Sequence, residues 1–346
     1  MSYYDGTKLL SLKDINGNTP EIYICTSNRT GGKTTFFNKM VVNRFIKSNK
    51  KFVCIYRFNY ELDNVADKFF KDIKELFFQE YDMVSERKSN GIYHELFLVK
   101  GKSKQSCGYA ITLNSADQIK KLSHLFSDAD SMIFDEFQSE SGHYCNNEVQ
   151  KLISIHTSIA RGQGKQVRYV PIYMISNPVS IINPYYLELN ISQRLRSDTK
   201  FLKGDGFVLE FNFNETASQA QKESGFNRAF SSNKYVNYST SNIYLNDNIA
   251  FIEKPIGKNK YLCTLRYCGV NYAVRQYPDL GILYCDDKAD ITNLNKLSVT
   301  TDDHNINYVM LHSNQQFVSI LRFYFDKGCF RFKDLKCKEA LMKCFS

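Results

Sequence analysis

Over the first two hundred residues the chain alternates short apolar runs with helix-period patterns. Ile22-Tyr-Ile-Cys25 is a continuous apolar run, of the kind that forms a strand covered on both faces. Residues 34–47 then place Phe37, Met40, Val41, Arg44 and Phe45 at helical spacing. Lys51-Phe-Val-Cys-Ile-Tyr56 is a second strand-like run, followed by a helical pattern over 66–78. Further strands are expected at 94–99, 109–113, 131–134 and 170–175, with helices at 116–125 and 147–160. Strands alternating with helices predict an α/β domain with a largely parallel sheet.

From residue 203 the texture changes, and Ser, Asn, Gly and Thr become frequent through residue 248. The expected organisation is a domain over 1–202, a linker or hinge subdomain over 203–248, and a smaller α+β domain over 249–346. Strands are expected in that last domain at 259–267, 272–276 and 281–285. A further strand pair at 317–324 and 329–332 precedes a C-terminal helix.

Composition narrows the class. Hydrophobic content of 43% and charged content of 23% are those of a globular protein. No apolar run approaches the roughly 18 residues needed to cross a membrane, and the polar N-terminus lacks a signal-peptide core, so a cytoplasmic location without membrane association is expected. The ten cysteines are scattered with no C-x-x-C pair. Several, including Cys25, Cys54 and Cys285, fall within strand patterns as small hydrophobes. A net charge of +9 favours a polyanionic partner.

The chemistry begins at the end of the first strand. Ser27-Asn-Arg-Thr-Gly-Gly-Lys-Thr-Thr35 is a glycine-containing loop whose Lys33 and Thr34 open a helix. Strand, loop and helix in that order form a phosphate-binding loop, in which backbone N–H groups and the positive end of the helix cradle phosphates. The whole stretch, Ser27, Asn28, Arg29, Thr30, Gly31, Gly32, Lys33, Thr34 and Thr35, is therefore expected to hold the nucleotide. Lys33 would reach the β- and γ-phosphates of ATP, and the Thr34 hydroxyl would ligate Mg²⁺. Ser27 stands where the usual G-x-x-x-x-G-K-[ST] pattern has its first glycine. A plain Gly-Gly turn with an exposed lysine is the competing reading of the loop by itself.

Ser131-Met-Ile-Phe-Asp-Glu-Phe137 is an apolar strand ending in an acidic pair. Asp135 is placed to hold the metal, and Glu136 to act as general base on the attacking water. This pairing favours the additional-strand, catalytic-glutamate (ASCE) class of phosphate-loop ATPases. Tyr173-Met-Ile-Ser-Asn-Pro178 is another strand with a polar end. Its Asn177 could contact the γ-phosphate or its water, or could simply start an Asn-Pro turn. Arg161, in the Gly/Gln-rich stretch 159–168, is a candidate arginine finger for a neighbouring subunit, with Arg168 in reserve. A solvated loop arginine is the alternative for both.

With Arg29 inside the loop, a strand-terminal Asp-Glu and a strand ending Ser-Asn, the first 200 residues resemble the ATPase domain of viral genome-packaging motors. They are most similar to the DNA-encapsidation ATPases of phi29-like small tailed phages. Tyr56-Arg-Phe-Asn-Tyr-Glu-Leu62 and Gly108-Tyr-Ala-Ile111 share that resemblance, and such ATPases often vary the glycine that Ser27 replaces. The resemblance implies a homo-oligomeric ring, a pentamer, docked on the portal of a procapsid in the host cytoplasm. ATP hydrolysis would drive double-stranded DNA inward, with Arg29 assisting in cis and Arg161 completing a neighbour's site. Lys120 and Lys121 are candidates for gripping DNA, or a solvated helix face.

Large terminases of the same wider family carry an RNase H-like nuclease domain whose carboxylates bind two metals. Here the expected first strand of the C-terminal domain, Tyr261-Leu-Cys-Thr-Leu-Arg-Tyr267, has no acid. Asp286, Asp287, Asp290, Asp302 and Asp303 fall at turns, where acids are commonly just solvated. A vestigial nuclease-like domain is therefore expected. The basic tail (Lys327, Arg331, Lys333, Lys336, Lys338) is suited to structural RNA, DNA or the portal. Rival readings are a full terminase large subunit with an active endonuclease, a ring helicase, and a nucleic-acid-binding scaffold with an inactive phosphate loop.

Overall fold

A computed structural model describes residues 4–161, 164, 166–195, 199–233, 236 and 251–345. The chain forms two compact units, Met1–Asn246 and Asp247–Ser346.

The first unit is built on a nine-stranded sheet of order β3-β4-β5-β2-β6-β7-β1-β9-β8. Its strands are β1 (Ile22–Ser27), β2 (Lys51–Tyr56), β3 (Asp82–Lys88), β4 (Tyr93–Lys100), β5 (Ser103–Thr112), β6 (Ala129–Asp135), β7 (Ile172–Ser176), β8 (Phe201–Lys203) and β9 (Phe207–Asn212). The six central strands, from β5 across to β9, pair in parallel, whereas β3-β4-β5 and β8-β9 are antiparallel. Helices α1 (Thr7–Ser11), α2 (Lys33–Ser48), α3 (Val65–Phe77), α4 (Ala116–Lys121) and α5 (Glu148–Ile159) cover the sheet, along with shorter segments.

Strand alternation divides the apolar side chains between two layers. Tyr23, Cys25, Phe52, Cys54, Ile133 and Ile175 pack with Phe37 and Val41 of α2 and with Phe69 and Ile73 of α3. Ile24, Val53, Ile55, Met132, Phe134 and Met174 pack with Ile119 of α4 and with Ile155 and Ile159 of α5. That two-sided cover is why these strands read as continuous apolar runs. Gly108 lies where β5 runs closest to β2, and a Cβ there would be 2.3 Å from the Phe52 carbonyl oxygen.

Three expectations change. β3 goes unpredicted because its Asp-Met-Val-Ser-Glu-Arg-Lys sequence is mostly polar and only Met83 of it is buried. The segment 203–248, expected as a linker, supplies β9 to the sheet beside β1, with Phe207, Val208 and Leu209 buried. The expected boundary at 248/249 lies outside the described residues. In the second unit the strand expected at 317–324 is a helix, Gln315–Asp326. Phe317, Val318, Leu321, Tyr324 and Phe325 pack on that unit's core. This is helical spacing, and the Asn314 side chain caps the helix by accepting the Phe317 N–H at 3.1 Å.

The second unit has a six-stranded sheet of order β14-β13-β10-β11-β12-β15. These strands are β10 (Lys260–Tyr267), β11 (Val270–Tyr277), β12 (Ile282–Asp286), β13 (Lys296–Ser298), β14 (Val309–Met310) and β15 (Phe330–Phe332). β10-β11-β12 is an antiparallel meander, and β10 pairs in parallel with β13. Cys268 (φ 49°) and Gly269 (φ 75°) form the β10–β11 turn. The Asp303 carboxylate holds that turn by accepting both backbone N–H groups at 2.8 Å. The helix Leu335–Met342 buries Cys337, Ala340 and Leu341.

Candidate nucleotide site

The C-terminal ends of β1, β6 and β7 lie side by side, with β7 between the other two. In open α/β sheets this edge is where ligands bind. β1 delivers Ser27 and Asn28, both buried. The Asn28 side chain fastens the loop to the segment after β9, accepting the Asn214 N–H at 2.9 Å and donating to the Asn214 carbonyl at 3.1 Å. Gly32 adopts φ 90° just before α2, and among the described residues no side chain caps that helix. A left-handed residue here favours glycine, and the first-turn N–H groups are left to a ligand. Tyr4 supports the loop from behind, its N–H donating to the Gly31 carbonyl at 2.8 Å. Residues 29–35 and Asn177 line a cleft of about 300 Å³.

Thr30, one of the residues lining that cleft, turns its side chain to the loop itself. It is exposed at the crest of the loop, in a left-handed conformation of φ 60°. Its hydroxyl donates to the Arg29 carbonyl at 2.7 Å. The side chain is thus engaged by the loop's own backbone, a common use of threonine in tight turns. The buried side chains of Asn28 and Lys33 fix the loop's shape.

Lys33 is 6% exposed. Its Nζ donates to the Ser27 carbonyl (3.2 Å), the Asn28 carbonyl (3.4 Å) and Asn177 Oδ1 (2.7 Å). Burial pulls this ammonium below its ordinary value, opposed by the charges of Asp135 and Glu136. Burial likewise raises the Asp135 carboxyl, opposed by Lys33, by a hydrogen bond from Thr34 and by the Glu136 N–H at 2.9 Å. Thr34 and Asp135 thus offer hard oxygen donors at one point. Mg²⁺ suits such a pair, because it is usually held by one or two protein groups plus phosphate and water. Among the described residues no cluster of three or more His, Cys, Asp or Glu could hold a metal.

Glu136 follows the end of β6 in a left-handed conformation, φ 55°, uncommon for a residue with a side chain. Partial loss of hydration raises its carboxyl, and the like charges of Asp135 and Glu140 raise it further, with Arg29 opposing them. Arg29 pairs with Glu140, which also accepts from Asn177 Nδ2 at 3.5 Å. A polar chain therefore runs from Arg29 through Glu140 and Asn177 to Lys33. Gln138 couples the loops after β6 and β7, its Oε1 accepting the N–H groups of Val179 (3.1 Å) and Ser180 (3.0 Å).

Lys33, Thr34, Asp135, Glu136, Asn177 and Arg29 are brought together with the rest of the loop; Arg161, Arg168, Lys120 and Lys121 are elsewhere. Arg161 follows α5, whose C-terminal end is tied to the start of β7 by Arg168 N–H to the Ala160 carbonyl (2.8 Å) and by His156 Nε2 with the Val170 carbonyl (2.8 Å). It is exposed at the opposite edge of the sheet, a strand length of roughly 17 Å from its own phosphate loop. Gly162, Gln163 and Lys165 beside it lie outside the described residues. Arg168 is buried, donating to the Ala129 carbonyl at 3.2 Å and the Ile159 carbonyl at 2.9 Å. That role inside its own subunit removes it as a reserve finger. Lys120 and Lys121 are exposed on α4.

Glu140 and the buried pair Arg57–Glu148 were not anticipated. Arg57 lies in the Tyr56–Leu62 phrase, and a charged residue directly after an apolar strand was the available signal. Glu140 carried no signal.

Comparison with known proteins bears on this arrangement. The family model described as podovirus DNA encapsidation protein (Gp16) matches residues 1–346. The DNA packaging protein of Bacillus phage phi29 is 27% identical over 347 aligned positions, covering 99% of this chain and 97% of that protein. The DNA packaging protein of Bacillus phage PZA matches to the same extent. Among solved structures, a chain of the bacteriophage Phi-29 viral genome packaging motor assembly superposes with a TM-score of 0.68 at 23% identity, covering 99% of this chain and 98% of that one. A chain of the Phi-28 gp11 DNA packaging motor gives a TM-score of 0.58 at 17% identity, with 99% and 96% covered. At those identities the two superpositions establish a common fold.

Proposed function

The chain belongs to the podovirus Gp16 family of DNA encapsidation proteins, and we propose that it hydrolyses ATP to drive double-stranded DNA into a preformed procapsid. The observation that carries this reading is the convergence of Lys33, Thr34, Asp135 and Glu136 on one sheet edge, with β7 inserted between the phosphate-loop strand and the acidic strand. That inserted strand supports assignment to the ASCE class.

Mg-ATP, when bound, supplies the transferable phosphoryl group and the metal charge that neutralises it. Residues 27–35 hold the phosphates through backbone N–H groups, and Thr34 and Asp135 hold the metal. Lys33 exchanges its bond to Asn177 for phosphate oxygens, which releases Asn177 to face the γ-phosphate or its water. Glu136 takes the proton of the attacking water, and its raised carboxyl is a better base than an ordinary glutamate. Arg29 steadies the developing charge in cis. Arg161, at the far edge of its own subunit, acts on the neighbour's nucleotide in a homo-oligomeric ring, a pentamer, on the portal.

The second unit works as a vestigial nuclease-like domain that contacts nucleic acid or the portal. A three-stranded meander whose first strand pairs in parallel with a later one supports an RNase H-like origin. Its carboxylates serve local structure. Asp286 accepts from Arg275 Nε at 2.9 Å, Asp287 pairs with Lys333, and Asp303 holds the β10–β11 turn.

Wild-type protein, Lys33→Ala and Glu136→Gln are compared for ATP hydrolysis with and without DNA, and for ATP-dependent nuclease protection of DNA by procapsids. Both variants are expected to lose turnover and protection, with Glu136→Gln still binding nucleotide. Turnover at the wild-type rate in both variants would overturn the assignment.

A further inference from the structure

We infer that Arg57, paired with Glu148, is the positioning residue that holds the Glu136 carboxylate in its productive place. The Arg57 side chain is buried with its guanidinium in a fork against the Glu148 carboxylate, Nε to Oε2 at 2.8 Å and Nη2 to Oε1 at 3.0 Å. Its remaining N–H directions meet the backbone of the catalytic loop. Nη2 donates to the Phe137 carbonyl at 2.8 Å, and the Glu136 carbonyl lies 3.3 Å from Nη1 and 3.4 Å from Nη2. The guanidinium faces the rings of Phe134 (5.5 Å) and Tyr144 (5.1 Å). Glu148 is fixed in turn by the Tyr185 hydroxyl and the Cys145 N–H, both at 2.8 Å.

Glu136 is held with φ 55°, a conformation that persists only where surrounding structure enforces it. From within the loop, the Asp135 carboxylate restrains that residue by accepting its N–H. Arg57 supplies the constraint on the carbonyl side. Arginine is required because a single planar group must bridge a carboxylate and two carbonyls at once; an ammonium cannot cover all four acceptors. The role is conformational, since Arg57 acts through the backbone and the Glu136 carboxylate does the chemistry.

This inference rests on Glu136 being the general base, and the test separates the two ideas. Arg57→Lys keeps a cation opposite Glu148. We expect kcat to fall roughly 100-fold, as for a base displaced by about 1 Å, with the Kd of a fluorescent ATP analogue within about twofold of wild type. In a Glu136→Gln background the same Arg57→Lys change should alter the residual rate by less than about twofold, because no base remains to be positioned. Losses that multiply in the double variant, or nucleotide affinity that falls in step with kcat, would overturn the positioning role. A wild-type rate in Glu136→Gln alone would instead overturn the assignment of the base. Should Arg57→Lys fail to fold, Arg57→Met/Glu148→Leu replaces the pair with apolar groups of similar volume, a change buried pairs often tolerate. Folded protein with wild-type kcat would then refute the inference, and folded protein with the same selective loss of kcat supports it.

Discussion

Replacing Tyr4 by Phe isolates one buried hydrogen bond while leaving the support of the phosphate loop in place. The Tyr4 hydroxyl donates to Glu210 Oε2 at 2.5 Å, and the two residues are 6% and 7% exposed. Its ring packs against Phe36 and Phe37 at centroid distances of 5.5 and 6.1 Å, contacts that Phe retains. The bond to the Gly31 carbonyl comes from the backbone and is retained too. What is lost is a donor to a buried carboxylate, worth about 2 kcal/mol. For a unit of this size that lowers Tm by roughly 4–8 °C, read by calorimetry on the full chain. Burial raises the Glu210 carboxyl and the Tyr4 hydroxyl opposes that rise. The cost of ionised Glu210 therefore appears as pH climbs above the unfolded value and is larger in the variant. The Tm gap should be full above the raised Glu210 value and should shrink as pH falls through it. Nucleotide affinity should stay within about twofold, and Tyr4→Phe/Glu210→Leu should recover most of the lost Tm, since removing both partners is nearly neutral. A gap below about 1 °C across the alkaline side of the profile, or one that does not narrow on acidification, would refute the reasoning.

Lys33→Ala should weaken nucleotide binding roughly 10- to 100-fold, from the loss of charge-assisted bonds of about 1.5–3 kcal/mol, as measured by titration of a fluorescent ATP analogue. In the wild-type protein that affinity should decline as pH rises through the lowered Lys33 value, because only the ammonium form pairs with phosphate. Arg29→Ala removes the cation that opposes the rise of the Glu136 carboxyl, so the acid limb of the kcat–pH profile should move to higher pH; an unmoved limb would count against Glu136 as base. Arg161→Ala subunits mixed with Glu136→Gln subunits should regain hydrolysis if Arg161 acts across the subunit boundary, and should stay inactive if it does not.

The phosphate loop and acidic strand were legible because their chemistry is local: each motif carries its own strand and places its side chains within a few residues. The parallel core was legible for a related reason, since burial on both faces writes β1, β2 and β7 as apolar runs. Polar β3, on the sheet edge, offers no such run. The helix 315–326 misled because its aromatic and β-branched residues suit strands, although their spacing is helical. Arg57 could not be assigned because its partners are 79 to 91 residues away, and no local pattern announces which carbonyls a guanidinium will reach. Arg161 was picked out by its glycine-rich setting. That it lies on the sheet edge opposite its own phosphate loop became visible only once α5 was packed.

The turn at Cys268 has a practical consequence for watching the protein work. The cysteines of the first unit, Cys25, Cys54, Cys107 and Cys145, are all buried, as are Cys263, Cys285, Cys337 and Cys344; Cys329 is partly covered and Cys268 is exposed. A thiol-reactive dye should therefore attach first to the second unit of the unaltered chain, on a turn whose backbone Asp303 pins. Burial of its surroundings raises the Cys268 thiol above its ordinary value, so mildly alkaline labelling would speed the reaction. With one cysteine engineered onto the first unit, each unit would carry one dye of a donor–acceptor pair, and a change in energy transfer on adding nucleotide would report a change in their separation.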